Sequence, residues 1–116
     1  MNKMIKLQSL RIPTGWKVSY NKFLEIEPSG LEENDNVWIH FTQDILQLEY
    51  IFKEAILIVD LGWYPETEIN GTFRLMLIKD EEWESPLEVF ESKNKEEIVE
   101  KIEKIIEDIS EGYKYI

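Results

Sequence analysis

Residues 54–80, EAILIVDLGWYPETEINGTFRLMLIKD, decide the fold. They contain two apolar runs, residues 55–61 and 73–78, each of strand length, rich in aliphatic side chains and bounded by Gly, Pro or acidic residues. The segment between the runs ends in Asn70-Gly71, a strong turn signal because both residues tolerate a positive φ. We therefore predict two neighbouring antiparallel strands joined by a turn-rich loop, with the rest of the chain packed against this pair.

The segments before this pair are also predicted to be strands. Residues 4–12 alternate imperfectly between apolar and polar side chains, residues 16–27 predict a hairpin, and residues 37–41 predict a further strand. Residues 45–52 fit either an alternating strand or one face of a helix. We favour the strand, because Tyr, Ile and Phe crowd a helical turn and suit a pleated surface. A turn at residues 53–54 then leads into the central pair.

The C-terminal segment has the pattern of an amphipathic helix. Asn94, with Glu97 three positions later, is a candidate capping box, and Gly112 offers a C-terminal stop. Between these signals, six β-branched side chains fall on one stripe at helical spacing: Ile98, Val99, Ile102, Ile105, Ile106 and Ile109. Because Ile is a poor residue for an isolated helix, the stripe predicts a helix that is stabilised by burial against the sheet.

Two weaker patterns lie within or just before this segment. Glu97–Lys101 and Glu100–Lys104 are spaced as i, i+4 ion pairs in the favourable orientation. Leu87 and Phe90, three residues apart, suggest one helical turn over the edge of the sheet.

Length and composition narrow the classes of protein. A chain of 116 residues with 43% hydrophobic residues predicts a single α+β domain over residues 1–116: an antiparallel sheet of about five or six strands with a long C-terminal helix packed on one face. Cysteine is absent from the sequence, which excludes a disulfide framework and a thiolate metal site. The sequence has neither an apolar run of transmembrane length nor a signal-peptide pattern, so a cytoplasmic protein is expected.

The net charge is the most informative number. Thirteen Lys and Arg against 24 Asp and Glu give a charge of −11. A field of this sign repels nucleic-acid phosphates and anionic membranes, so neither is expected as a partner, and it attracts basic proteins. The same acidity also serves simply to keep a small protein soluble. Residues 1–24 hold five basic and no acidic side chains, and we expect this segment to lie beside acidic strands or the acidic helix.

The sequence contains no catalytic motif, and each candidate residue has a structural alternative. His40 is the sole histidine and has no second His, Cys or Ser motif to work with, so a packing or surface role is expected. Asp60, at the end of an apolar strand, is a candidate for a partly buried carboxyl group with a raised pKa, or for a side chain that bonds its own turn. Phosphate-loop and calcium-loop patterns are absent, so no cofactor and no metal are predicted.

Aromatic and acidic residues are concentrated around the ends of the central strands. The acids are Glu66, Glu68, Asp80, Glu81 and Glu82, and the rings are Trp63, Tyr64 and Trp83. This combination is typical of a binding hot spot for a basic partner, in which rings supply buried area and acids steer and pair with Lys or Arg. The alternatives are a solvated acidic rim and rings that cover the edge of the core.

Three segments combine aromatic and turn residues: residues 15–18 (GWKV) with Asn21 and Phe23, residues 60–65 (DLGWYP), and residues 83–87 (WESPL) with Phe90. In a small, acidic, cysteine-free chain they resemble the immunity proteins of bacterial polymorphic toxin systems, of the contact-dependent inhibition and Wap types. The resemblance implies a non-enzymatic inhibitor that binds a cognate toxin domain, often a nuclease, and blocks its active site.

These observations leave three hypotheses. The first is an immunity-like protein that covers a basic toxin domain with one acidic surface made by residues 62–68 and 80–84, with Asp60 among its charge partners. The second is a small-molecule or glycan enzyme that uses Asp60 with a neighbouring Glu. The third is a structural or regulatory module that pairs with itself through a sheet edge.

Overall fold

The protein is described by a computed structural model that covers residues 5–112. These residues form strands β1 (Trp16–Asn21), β2 (Leu46–Phe52), β3 (Ala55–Tyr64), β4 (Thr72–Lys79) and β5 (Glu88–Ser92), followed by helix α1 (Lys95–Ser110). Each strand pairs antiparallel with the next, which gives a five-stranded sheet in the order β1-β2-β3-β4-β5. The predicted α+β fold, an antiparallel sheet with a C-terminal helix, is confirmed.

The central hairpin joins β3 and β4 in continuous register from Leu57↔Lys79 to Tyr64↔Thr72. β3 therefore runs to Tyr64 rather than ending at residue 61. Alternate side chains of β3 from Leu57 to Trp63 face the core. The intervening Ile58 and Asp60 point to the opposite face and are nevertheless buried, as expected for a strand at the centre of a sheet.

Helix α1 covers one face of the sheet with the predicted stripe, whose six side chains are all buried. The side-chain oxygen of Asn94 accepts a hydrogen bond from the Glu97 backbone N–H at 3.1 Å, so the predicted N-cap is confirmed. The carboxylate of Glu97 instead accepts from the Ser92 hydroxyl at 2.6 Å, and Ser92 in turn accepts from the Asn94 N–H. The helix ends at Ser110, and the predicted stop, Gly112, follows its C-cap residue Glu111 with φ +75°.

The helix lysines make other ion pairs than the sequence predicts. Lys101 lies 2.8 Å from a carboxylate oxygen of Glu88 and so ties the helix to β5, and Lys104 lies 3.1 Å from Asp108. The predicted pairing of these lysines with Glu97 and Glu100 is therefore wrong. Lys101 pairs outside the helix, and Lys104 pairs with the carboxylate four residues after it rather than the one four residues before it.

The N-terminal segment lies beside the acidic helix, as its charge predicts. The backbone N–H of Arg11 donates to the carboxylate of Glu103 at 2.8 Å. Further along the chain, the indole N–H of Trp16 donates to the Ser110 hydroxyl at 2.8 Å. The predicted strand over residues 4–12 is not formed among the described residues of this segment, which make only the isolated bridge Leu7↔Leu24.

The predicted hairpin over residues 16–27 is wrong beyond its first strand. β1 pairs with β2, from Trp16↔Tyr50 to Asn21↔Leu46. The Asn21 side chain accepts a hydrogen bond from the Phe23 N–H at 3.0 Å, which turns the chain out of the sheet and places Phe23 in the core.

Two short segments adopt the opposite structure from the predicted one. Asn36–His40 is a 3₁₀ helix rather than a strand, because the indole of Trp38 enters the core and its N–H donates to the carbonyl of Glu32 at 2.8 Å. Leu87 and Phe90 do not form a helical turn, since Glu88–Ser92 is the edge strand β5. The ambiguous residues 45–52 form strand β2, as favoured from the sequence.

The chain turns at the predicted Asn70-Gly71, where the Gly71 N–H donates to the Glu68 carbonyl at 3.0 Å, but neither residue adopts the expected positive φ. The residue with positive φ in this loop is Thr67, at φ +61°. Gly71 is needed for space instead: a Cβ built there would lie 2.3 Å from Trp63 Nε1 and 2.8 Å from the Pro65 carbonyl oxygen.

We expect Gly71→Ala to lower the free energy of unfolding by about 3 kcal/mol, because the added methyl group must displace a buried indole and a backbone carbonyl. Gly30→Ala is the matched control, since a Cβ at Gly30 meets no atom within 4 Å, and it should change stability by less than about 0.5 kcal/mol. Guanidinium unfolding at equilibrium measures both variants. Equal midpoints for the two variants would contradict the packing of Gly71 on Trp63.

Candidate functional site

The predicted binding residues do not form one surface. Because β3 and β4 run antiparallel, residues 65–71 lie at one end of the hairpin and residues 80–87 at the other. The eight residues of β4 separate these loops by roughly 23 Å. The single acidic surface expected from residues 62–68 and 80–84 is therefore wrong.

Trp63 is a core residue rather than an exposed anchor. Its side chain is 1% exposed, and its ring centroid lies 4.9 Å from that of Phe73 and 5.0 Å from that of Phe41. Its indole N–H donates to the carbonyl of Glu68 at 2.8 Å. The prediction that Trp63 contacts a partner is wrong, because β3 continues past Gly62 and keeps Trp63 in the register that faces the core.

Tyr64 lies on the face of the sheet away from α1, which we call the open face. The Arg74 guanidinium carbon lies 5.1 Å from the centroid of the half-buried Tyr64 ring, and Arg74 also pairs with Glu91 at 3.3 Å. Burial, with the nearby charge of Asp60, raises the pKa of the Tyr64 phenol. The acids of the adjoining loop, Glu66 and Glu68, are exposed at this end.

Asp60 is buried at the middle of the open face with 7% of its surface exposed. Its carboxylate accepts hydrogen bonds from the Gln47 amide at 3.2 Å and from the Tyr20 hydroxyl at 3.4 Å. The Tyr20 hydroxyl also lies 3.4 Å from Asp44, so two carboxylates share one proton donor. This bonding occupies the Asp60 carboxylate within the protein.

Burial is the main cause that raises the pKa of the Asp60 carboxyl, and the charge of Asp44 adds to it. The hydrogen bonds from Gln47 and Tyr20 act in the opposite direction. Of the two alternatives left open for Asp60, the structure has the partly buried carboxyl group with a raised pKa, and the neighbouring carboxylate is Asp44 rather than a Glu. Burial and the two carboxylates also raise the pKa of Tyr20, so its phenol keeps its proton at neutral pH.

We expect Asp60→Asn to stabilise the protein relative to wild type as pH rises. With its folded-state pKa raised, Asp60 gives the wild type most stability below about pH 4, the ordinary range of an unfolded Asp. That stability is lost as pH rises through the folded-state pKa, and Asn has no such loss. The unfolding free energy of Asp60→Asn minus that of the wild type should therefore increase between pH 4 and pH 7.5.

Urea unfolding at several pH values measures this difference. Glu33→Gln, at an exposed loop position, is the control and should follow the wild type at every pH. A constant difference between Asp60→Asn and wild type would mean that burial does not penalise the Asp60 charge.

The end of the sheet opposite Tyr64 and residues 65–71 combines exposed apolar and acidic side chains, and we call it the acid-aromatic end. It is formed by the β2–β3 turn and the β4–β5 loop with the adjoining strand residues. Of the ten large apolar side chains exposed in the described part of the chain, five lie here: Ile51, Phe52, Trp83, Leu87 and Val89. The exposed acids of this end are Glu54, Asp80, Glu81, Glu82 and Glu84.

Asp80 fixes the geometry of this end. Its carboxylate accepts from the Ile56 N–H at 2.9 Å, and its own N–H donates to the Ile56 carbonyl at 2.8 Å. Three residues of the two turns adopt left-handed backbone conformations without being glycine: Lys53 at φ +55°, Asp80 at φ +52° and Glu81 at φ +60°. Such conformations cost energy and persist only where the surroundings hold them, so the loop shape is imposed by this double hydrogen bond.

The sequence predicts Trp83, Asp80, Glu81 and Glu82 as binding residues, and all four lie at this end. It does not predict the exposed apolar side chains around them. Ile51 and Val89 project from the open face, opposite Ile56 and Met76 in the register. Their exposure follows from which face the helix covers, and alternation along a strand does not reveal that.

The described residues contain neither a cluster of metal-ligating side chains nor a membrane-spanning helix. Within residues 5–112, no group of three or more His, Asp or Glu side chains is placed to hold a metal ion. Likewise, no helix in this part of the chain has the length and apolar character needed to cross a membrane.

His40 is exposed on the 3₁₀ helix Asn36–His40.

Comparison with known proteins identified no relative: no protein-family model, no curated protein and no solved structure matches the chain.

Proposed function

We propose that this chain is a non-enzymatic binding protein that occludes a basic protein partner with its acid-aromatic end. The supporting observation is the coincidence at one end of the sheet of five exposed large apolar side chains with five exposed carboxylates. Exposed apolar side chains that cluster, rather than scatter singly, mark interaction sites. The acidic surroundings select a partner whose surface is positively charged.

The two kinds of side chain have different roles in this proposal. Trp83, 42% exposed, together with Phe52 and Leu87, supplies the apolar area whose burial stabilises a complex at about 25 cal/mol per Å². Glu81 and Glu82 pair with Lys or Arg of the partner and accelerate the encounter. Asp80 contributes mainly by holding the loop, because its carboxylate is already bonded to the Ile56 N–H.

The resemblance to immunity proteins supports the choice of partner. A nuclease toxin domain binds phosphates through basic side chains, and an acidic surface seated over those side chains blocks access to them. A loop that is already fixed by the Asp80–Ile56 hydrogen bonds loses little conformational entropy on binding, which favours tight association. We therefore propose a cognate toxin domain, such as a nuclease, as the partner, and inhibition by steric and electrostatic occlusion in the cytoplasm.

The two rival functions have less support. An enzyme that uses Asp60 requires a carboxylate accessible to substrate, whereas Asp60 is 7% exposed and bonded to Gln47 and Tyr20. Self-pairing through an edge strand must use β1 or β5. The register of β1 is irregular between Val18 and Tyr20, and β5 carries Glu88 and Glu91, so both edges are unfavourable for pairing with an identical chain.

We expect Trp83→Ala to weaken binding of the cognate toxin domain by about 30-fold or more, the loss typical of an aromatic hot spot. The first step is to ask whether a neighbouring open reading frame encodes a large secreted protein with a variable C-terminal domain; that domain, in catalytically inactive form, is the probe. Titration calorimetry measures the affinity. Co-expression with the active domain tests protection of the cell.

We expect Glu82→Lys to slow association with the same domain about 10-fold at low salt, because it reverses a steering charge at the acid-aromatic end. Glu66→Lys is the matched control, since it makes the same charge change on an exposed loop at the other end of the hairpin. Stopped-flow or surface-based kinetics at two salt concentrations compare them. Equal association rates for the two variants would place the interface elsewhere.

A further inference from the structure

A second exposed apolar surface, with Lys22 in its lining, lies at the other end of β1 and β2. A groove of about 490 Å³ is lined there by Leu7, Lys22, Leu24, Ile39 and His40, with Asn21 and Thr42 at its side. No residue of this lining is acidic, although the chain as a whole carries −11. We call this surface the basic groove.

The apolar side chains of the groove are unusually open to solvent. Ile39 is 67% exposed and Leu7 is 51% exposed, and Ile5 beside them is 43% exposed. Lys22, which lines the groove, is exposed. A patch with this composition suits an occupant that carries apolar or aromatic side chains among carboxylates.

The acid-aromatic end has this composition, but it cannot reach the groove of its own molecule. The groove lies where β1 ends and β2 begins, whereas the acid-aromatic end lies where β2 ends. The seven residues of β2 place roughly 20 Å between the two surfaces. Contact between them therefore requires two molecules.

We propose that the basic groove of one molecule receives the acid-aromatic end of a second copy of this chain. Trp83 contacts the apolar lining formed by Leu7, Leu24 and Ile39, and the groove volume lies in the range of about 300–1,000 Å³ that holds a small ligand or a large side chain. Glu81, Glu82 and Glu84 face Lys22. The contact joins different surfaces of the two copies, so the assembly is head-to-tail and extends with concentration.

The net charge of −11 does not prevent this contact at physiological salt. Charges are screened over about 8 Å there, whereas the molecule is 48 Å long, so the facing ends decide whether two copies attract. The contact uses the same end that binds the basic partner under the proposed function. Self-association and partner binding therefore exclude each other, although the self-association itself does not rest on that function.

Sedimentation velocity of the full chain alone, at physiological salt and across a wide concentration range, tests the proposal. Lys22→Glu reverses the charge of the groove, Ile39→Asp disrupts its apolar lining, and Trp83→Ala removes the residue that enters it. All three positions are exposed. Lys93→Glu is the matched control, because Lys93 is exposed and follows β5 at the opposite edge of the sheet.

We expect the average mass of the wild type and of Lys93→Glu to rise with concentration, while each groove or end variant stays at 13.9 kDa. A mixture of Lys22→Glu and Trp83→Ala should form heterodimers of twice this mass and nothing larger. The first variant keeps an intact end, the second keeps an intact groove, and no further copy can attach.

A wild type that remains monomeric at millimolar concentration would overturn the proposal. Association that survives Lys22→Glu and Ile39→Asp would overturn it equally, as would a mixture that stays monomeric. These measurements contain no toxin domain. Their failure is therefore separate from a failure of the proposed function, which the binding experiments with the toxin domain decide.

Discussion

The burial of one helical stripe against one face of the sheet is the contact on which the structure depends. Six β-branched side chains of α1 are buried together with the core-facing residues of β3 and β4. Each fully buried Ile contributes roughly 1.5–3 kcal/mol, which explains how a helix rich in weak helix formers is stable. A single helix covers only one face of the sheet, however. The residues of the open face must therefore stabilise that face without a helix packed against it.

The side chains of the open face change from aliphatic to polar along the length of the sheet. Toward the acid-aromatic end it is aliphatic, with Ile58 and Ile78 paired across β3 and β4 and both buried. At its middle, Asp60 is held by Gln47 and Tyr20, and beyond it Arg74 stacks near Tyr64. The buried carboxylate is tolerated because its partners are in place, and its raised pKa shows that they compensate for burial only in part.

The parts of the fold that the sequence predicts are those with long, repeated patterns. The stripe of α1 repeats over three turns, and the runs of β3 and β4 are continuous and bounded by turn residues, so local preference and tertiary packing agree. Residues 37–41 alternate as a strand does. They fold as a 3₁₀ helix because the burial of Trp38 outweighs a weak local pattern. The prediction of a helical turn at Leu87 and Phe90 is wrong for a similar reason. Two apolar residues three positions apart do not distinguish a helical turn from a short edge strand.

The candidate site was only half predictable for a related reason. Exposed acids are visible in the sequence, because a run such as residues 80–84 cannot be buried. Whether a neighbouring ring is exposed depends on where a strand ends. β3 continues past Gly62 and places Trp63 in the core, whereas β4 stops at Lys79 and leaves Trp83 at the surface. Exposure of Ile51 and Val89 depends on which face α1 covers, and that is a property of the topology rather than of either strand.

The separation of charge along the molecule connects the two proposals. Under the proposed function, a strongly basic domain is attracted by most of the surface of a chain whose net charge is −11. Under the further inference, a second copy of this chain is repelled by most of that surface and contacts the acid-aromatic end only through its groove. Both ligands bind the acid-aromatic end under these proposals, so they compete for the same side chains, and long-range charge favours the basic partner.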